Sequence, residues 1–249
     1  MSKPLTSRVR GRRPHAYSTG VVTYLDILGW KGIYNRERDP ISILVKLIAK
    51  LNKLNEKHRG LDSAPEIRSI SDTIVLSSME VKETDATRVI DMHGDICSHA
   101  IAESISERIP LRGATAFGDF ETENNVYVGR AIDEAASWHE SGEWIGVHLT
   151  PSAMFACGSI LKHWIHYESP TKAVAKHSTP CVNWTDKWKR LASPDDPRRR
   201  LGEAFRAMGP ITPEISPKFI NTLHFYDRIA SHSTITLQPV LPGFAWKTT

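Results

Sequence analysis

The 249-residue chain has no apolar run approaching the ~20 residues that span a bilayer, so no membrane helix is expected. Residues 1–14 carry Lys3, Arg8, Arg10, Arg12 and Arg13, but no apolar h-region follows them, so no secretory signal is expected either. Cysteine is scarce. Cys97, Cys157 and Cys181 are odd in number and lack C-x-x-C spacing, which argues against a disulfide framework and for buried thiols in a reducing, cytoplasmic compartment. There are no internal repeats and no low-complexity segments. Charge is not of one sign: 32 Lys and Arg against 28 Asp and Glu give a net charge of +4. Much of the excess sits at residues 8–13 and 198–200, which read either as phosphate contacts or as a basic tail and a solvated helix start. With 40% hydrophobic and 24% charged residues the chain is an ordinary globular sequence, long enough for one sizeable core.

What is present reads as alternating strands and helices. Residues 20–28 (GVVTYLDIL) are apolar on both parities, as in a strand buried on both faces, and end at Gly29. Asp39-Pro40 marks a helix start, followed by Ile43, Leu44, Leu47, Ile48, Leu51 and Leu54 at helical spacing among lysines. Residues 66–78 predict two short strands with a tight turn at Ser71-Asp72, and residues 84–109 predict a second long helix stopped by Pro110. Residues 111–117 and 126–128 form a further strand pair joined by the polar turn 121–125. A helix over 130–139, a strand over 144–149, a short helix over 151–157 and a last strand over 179–184 follow. Beyond them come helices near 201–208 and 217–229. Hairpins mixed with crossover helices predict an α+β sandwich.

Two acidic residues at strand ends carry the chemistry. Asp26 interrupts an apolar strand, where an unpaired carboxylate is costly. The turn after it, Ile27-Leu28-Gly29-Trp30, predicts a bend presenting consecutive N–H groups to phosphate oxygens beside a metal. Asp72 lies at the tip of the predicted hairpin, and if the two strands are adjacent the carboxylates converge. Mg²⁺ or Mn²⁺ at a triphosphate needs only one or two carboxylates. On spacing alone, a turn aspartate and a buried capping carboxylate explain the pair equally well.

The segments at 24–32, 67–78 and 111–140 together resemble class III adenylate and guanylate cyclases. That family carries an F-x-D-I-x-G-F strand, matched by Tyr24-Leu25-Asp26-Ile27-Leu28-Gly29-Trp30. It carries a hairpin G-D, matched by Ser71-Asp72, and an R-x-G matched at Arg112-Gly113. Its G-x-x-V-N-x-A-x-R helix is matched in part by residues 129–136. The resemblance spans residues 21–151. It implies a cyclase-like sandwich with a central, mostly antiparallel sheet, flanking helices and a helical C-terminal extension. It also implies two Mn²⁺ or Mg²⁺ ions per site, held by Asp26, Ile27 and Asp72, and a homodimer with its sites at the subunit interface. The expected organisation is a basic tail (1–16), a catalytic domain (17–190) and the extension (191–249).

Departures from the family pattern shape the expected function. The ribose-contacting Asn falls on Asp133 and the transition-state Arg on Ser137, so another cation has to stabilise charge on the phosphate. Arg130, Arg112, Lys187 and Lys189 are the candidates. The base-reading positions fall on Arg68 and Val126. Arg68 offers only donors, which suits the two carbonyls of uracil. Tyr24 reads as a base-stacking ring or as ordinary strand packing. These departures resemble the stand-alone pyrimidine cyclases of bacterial Pycsar anti-phage systems. The resemblance implies conversion of UTP, less well CTP, to the 3′,5′-cyclic monophosphate, read by a separate cyclic-nucleotide-binding effector. Neither a membrane nor nucleic acid is an expected partner. His93 and Cys97, four apart on the predicted helix 84–109, read as packing rather than a metal set.

Overall fold

A computed structural model of the chain describes residues 17–30, 33, 39–158, 161–172, 178–192 and 196–231. The basic run at 8–13, positions 31–32 of the first motif segment and residues 193–195 and 232–249 of the C-terminal extension lie outside the described residues.

The first strand, β1 (Ser18–Ile27), lies near the middle of one sheet. Its side chains alternate as a pleat requires: Val21, Leu25 and Ile27 enter the main core, while Val22 and Tyr24 face a second, smaller one. Helix α1 (Pro40–Asn55) starts where Asp39 Oδ1 accepts the Ser42 N–H at 3.0 Å, and buries Leu44, Leu47 and Leu51. The hairpin β2 (Glu66–Ile70) and β3 (Thr73–Ser78) turns at Ser71-Asp72, and α2 (Glu83–Ser106) follows. Then come β4 (Leu111–Glu123), β5 (Val126–Gly129) and α3 (Arg130–His139). The remaining elements are β6 (Val147–Leu149), α4 (Pro151–Ala156), β7 (Trp164–Glu168), β8 (Ser178–Val182), α5 (Thr185–Leu191), α6 (Pro197–Ala207) and α7 (Ser216–Ser231).

The strands form one eight-stranded sheet in the order β2-β3-β1-β4-β6-β8-β7, with β5 paired to β4. Every pairing is antiparallel except β4 with β6. This is the mixed α+β architecture that the pattern of hairpins and crossovers predicts, with the mostly antiparallel sheet that the family resemblance implies. Helices cover both faces. Helix α2 is buried along almost its whole length because α1 and α5 pack outside it. Helix α3 covers the other face, where Ala131, Ile132 and Ala135 meet Val22, Val75, Ala116 and Phe120. Each fully buried Leu, Ile or Phe contributes ~1.5–3 kcal/mol, so the larger core dominates stability.

Three elements depart from expectation. Residues 164–168 form β7 and residues 185–191 form α5 where the sequence pattern assigns neither, and the strand expected over 144–149 is shortened to Val147–Leu149. The C-terminal helices join the main core. Phe225 of α7 sits among Trp144, Tyr167 and Trp184, with ring centroids 4.7, 5.0 and 5.7 Å away. No helix among the described residues is long and apolar enough to cross a membrane.

Candidate active site

Antiparallel pairing puts Asp26 opposite Thr73 on one side and Arg112 on the other. Asp72 immediately precedes Thr73, and its carbonyl accepts the Ile27 N–H at 3.3 Å. The end of β1 and the tip of the β2–β3 hairpin are therefore joined through the backbone. Ser71 holds φ 58°, the left-handed region, while Asp72 does not. A two-residue hairpin loop with positive φ at its first position favours glycine there. The local geometry thus accounts for a glycine-or-serine step before the aspartate.

Arg112 clamps Asp26. Its Nε and Nη2 both lie 3.2 Å from Asp26 Oδ2, and its Nη1 donates to the carbonyls of Glu140 and Gly142 at 3.2 Å each. Both side chains are mostly buried, 13% exposed for Arg112 and 19% for Asp26, so the pair has little solvent screening. It closes one side of a cavity of about 300 Å³ that also takes in Leu28, Gly29, Lys172 and Lys218.

The last two cations come from segments that carry no motif. Lys172 is brought in because its N–H donates to Ser141 O at 2.8 Å and Glu143 N–H donates to Pro170 O at 2.8 Å, tying the two loops edge to edge. Lys218 projects from the first turns of α7, with Nζ 3.4 Å from Glu143 and 3.0 Å from the Glu214 carbonyl. Helix α7 is itself locked by Thr222 Oγ1, which accepts the Ile145 N–H at 2.8 Å, and by Asn221 Nδ2 on Glu143 O at 2.8 Å. Lys172 and Lys218 carry no signal in the sequence beyond their charge, because a long-range loop pairing places the first and the docking of α7 places the second.

The expected phosphate cradle needs correction. The N–H groups of Ile27, Leu28 and Trp30 donate to Asp72 O, Pro110 O and Ile27 O at 3.3, 2.8 and 3.4 Å. The bend is real, with Gly29 at φ 74°, but it closes on its own chain rather than presenting consecutive donors. The candidate cations divide likewise. Arg112 is at the cavity, whereas Lys187 pairs with Asp95 and Lys189 with Asp186. Arg130 and Asp133 line a different cavity of about 460 Å³ with Tyr17, Asp119 and Gly129. Ser137 Oγ donates to the Asp133 carbonyl at 2.7 Å, within its own helix.

Arg68 and Tyr24 share a sheet face through their common partner Val75, Val126 points to the other face with Glu123, and none of the three lines the Asp26 cavity. Arg68 spends Nε and Nη2 on Glu66 Oε1 at 2.8 and 2.6 Å and Nη1 on Asn125 Oδ1 at 2.7 Å. Asn125 is in the β4–β5 turn, so that hairpin curls back over β2. Val126 beside it is 62% exposed. Tyr24 stands 6.0 Å from the His139 ring, and burial, with smaller contributions from Tyr127 and Asp133, raises its phenol above the usual value. The Tyr127 hydroxyl and His139 Nδ1 are buried without a hydrogen-bond partner among the described residues. His93 is a packing residue: wholly buried, it bonds Thr23 Oγ1 at 2.8 Å and Ser78 Oγ at 3.1 Å. All three cysteines are free thiols. No group of three or more His, Cys, Asp or Glu with metal-binding geometry occurs among the described residues.

No protein family and no curated protein matches the chain. Among solved structures it is similar to the catalytic core of a rhodopsin-guanylyl cyclase with converted specificity in complex with ATPalphaS, at 18% identity, over 67% of this chain and 96% of that one, with a TM-score of 0.48. It is also similar to the guanylate cyclase domain of RhGC from Catenaria anguillulae in complex with GTP, at 17% identity, over 67% and 97%, with a TM-score of 0.48. The adenylyl cyclase CyaB from P. aeruginosa matches at 14% identity, over 68% and 95%, with a TM-score of 0.42. With identities and TM-scores this low, the functional reading rests on the side chains themselves.

Proposed function

We propose that the chain is a nucleotidyl cyclase that converts a pyrimidine nucleoside triphosphate, UTP in preference to CTP, to its 3′,5′-cyclic monophosphate and pyrophosphate. The observation that carries this reading is the junction of Asp26 and Asp72 at adjacent strand ends, in the motif order of class III cyclases. A cavity beside Asp26 holds Arg112, Lys172 and Lys218, three cations suited to a triphosphate.

Two carboxylates fit Mn²⁺ or Mg²⁺, which takes one or two protein carboxylates and completes its shell with phosphate and water. Both Arg112 contacts fall on Asp26 Oδ2, so Oδ1 is the oxygen left to a cation, with Asp72 as its second carboxylate. Bound there, the cation supplies Lewis acidity that lowers the pKa of a ribose 3′-hydroxyl and offsets triphosphate charge.

The chain's own residues do the positioning. Arg112 holds Asp26 oriented, and Lys172 and Lys218 face the β- and γ-phosphates in the role vacated at Ser137. The 3′-oxygen attacks the α-phosphorus in line and pyrophosphate leaves. Arg130 and Asp133 line a separate cavity in the same chain, which favours a symmetric homodimer in which they meet Asp26 of the other copy. Arg68 exchanges Asn125 for a base carbonyl on substrate binding, and Tyr24 packs beside the base. In this reading the product is an anti-phage signal for a separate effector.

The test is a selectivity assay: pure protein, Mn²⁺ and each of the four common nucleoside triphosphates, with products resolved by chromatography. One dominant cyclic pyrimidine product is expected, with selectivity lost in Arg68→Ala. A dominant cyclic AMP product overturns the base assignment. A second reading, a catalytically silent nucleotide-binding module, is favoured by one observation, the Arg112 clamp on Asp26. It is distinguished by nucleotide binding without turnover of any triphosphate.

A further inference from the structure

On the sheet face opposite α3, helices α1, α2 and α5 enclose a trough of about 560 Å³, within the ~300–1,000 Å³ typical of small-molecule clefts. Two helices present the same pattern into it. From α1 come Lys50, Lys53 and Leu54, and from α5 come Lys187, Arg190 and Leu191, each set spaced i, i+3, i+4 so that one face carries all three. Helix α2 contributes His99 and Glu103 between them.

The charges do not balance. Lys50 is shared by Glu103 at 2.8 Å and Glu107 at 3.2 Å, and Lys187 stands 3.5 Å from Asp95. Lys53 forms no ion pair among the described residues, and Arg190 spends only Nε, on the Asp186 carbonyl at 3.1 Å. Asp95 is already crowded by Lys57, His58 and His163 from other segments. Like charges on one helix face repel one another, and both α1 (Lys50, Lys53) and α5 (Lys187, Arg190) carry such a pair. The same excess acts on α2. Burial first, then the field of Lys187, with smaller shares from Lys57 and Arg190, holds the His99 imidazole down at about 4 against the opposing pull of Asp95.

We propose that this trough is a second ligand site, distinct from the Asp26 cavity, that binds a small organic phosphate of nucleotide size, with its phosphates on Lys53, Lys187 and Arg190 and its apolar body between Leu54 and Leu191. The arrangement suits that chemistry on two counts. Cations converge from two helices around a concavity instead of running along an open stripe, so a compact polyanion meets several at once. The leucines and the lysine stems give walls that a bare inorganic anion would leave unused.

The probe is ATP, titrated calorimetrically into the full chain in EDTA, which removes divalent metal from the proposed active site. Wild type and Asp26→Ala are expected to bind ATP with the same Kd. Lys53→Ala/Arg190→Ala is expected to bind at least ~10-fold more weakly, the effect of losing ~1.4 kcal/mol of charge-assisted contact. Inorganic tripolyphosphate, lacking the apolar body, is expected to bind several-fold more weakly than ATP. Hydrogen exchange on the unaltered chain gives a readout free of any folding defect: ATP is expected to protect residues 50–54 and 185–191. The proposal is overturned if the double variant binds ATP as wild type does, if Asp26→Ala abolishes binding, or if ATP protects neither segment. It is equally overturned if tripolyphosphate binds as well as ATP, or if a single-stranded RNA displaces ATP from these residues at far lower concentration. The wild-type titration is independent of turnover, so failure here leaves the cyclase reading untouched.

Discussion

Arg112 and Asp26 form an ion pair across β1 and β4, with two guanidinium nitrogens each 3.2 Å from the same carboxylate oxygen, Oδ2. The pair is mostly shielded from solvent, and Arg112 also anchors the loop after α3 through Glu140 O and Gly142 O. Removing the guanidinium leaves a half-buried carboxylate and two carbonyls unpaired. Arg112→Ala is expected to cost about 2–4 kcal/mol in urea unfolding, and Arg112→Lys less, since an ammonium replaces only part of the fork. An unchanged midpoint for Arg112→Ala would remove the clamp from the account.

Ser71 occupies a left-handed turn position that glycine tolerates at no steric cost. Ser71→Gly is expected to raise stability by roughly 0.5–1 kcal/mol and to leave Asp72 in place. Thermal unfolding measures it, and a lowered Tm would mean that the serine side chain contributes a contact the turn geometry does not account for.

Gly94 lies within α2, where exchange for alanine ordinarily stabilises by ~1 kcal/mol. Here an added Cβ would stand 2.2 Å from Nε1 of Trp164, the atom that donates to Ile90 O at 3.2 Å. Gly94→Ala is therefore expected to destabilise, by about 1–3 kcal/mol, because a buried indole has to shift. Chemical denaturation of the variant decides the sign, and stabilisation would contradict the packing of β7 on α2.

His93 is fully buried, and burial, with a smaller share from His58, lowers its imidazole to about 3. The unfolded chain takes up this proton near pH 6.5, whereas the folded chain resists it down to about pH 3. Stability is thus full above the unfolded value and falls as pH drops through that window, with a loss of about 3 kcal/mol by pH 4 on the order-of-magnitude relation of ~1.4 kcal/mol per unit. Urea midpoints between pH 7 and 4 are expected to fall in wild type and to fall less steeply in His93→Gln. Equal slopes would show that other groups govern the acid limb.

The outline of the fold was legible because its first half is built from local signals. Asp39-Pro40 starts α1, the Ser71-Asp72 turn joins β2 to β3, and Pro110 separates α2 from β4. Legibility fades where partners are distant. β7 is a five-residue edge strand whose pairing with β8 is set across residues 169–177, and α5 buries only Thr185 and Trp188, so its sequence reads as solvated. At the cavity, Asp26 and Arg112 were readable from strand ends and motif order, as was the turn that carries Asp72 beside the end of β1. The closed turn at 27–30 was not, because its hydrogen bonds go to Asp72 and Pro110 from other segments. Lys172 and Lys218 were hidden for the same reason: Lys172 is placed by its pairing with Ser141, and the docking of α7 through Thr222 and Phe225 brings Lys218 to the same cavity.

The most direct test of the proposed chemistry is product formation from UTP and Mn²⁺ by wild type, Asp26→Ala and Asp72→Ala, followed as pyrophosphate and as 3′,5′-cyclic UMP by mass spectrometry. Wild type is expected to release both in equal amounts, and each variant, folded by circular dichroism, to release neither above background. Absence of turnover of any nucleoside triphosphate by wild type, or full activity in either aspartate variant, would contradict the account.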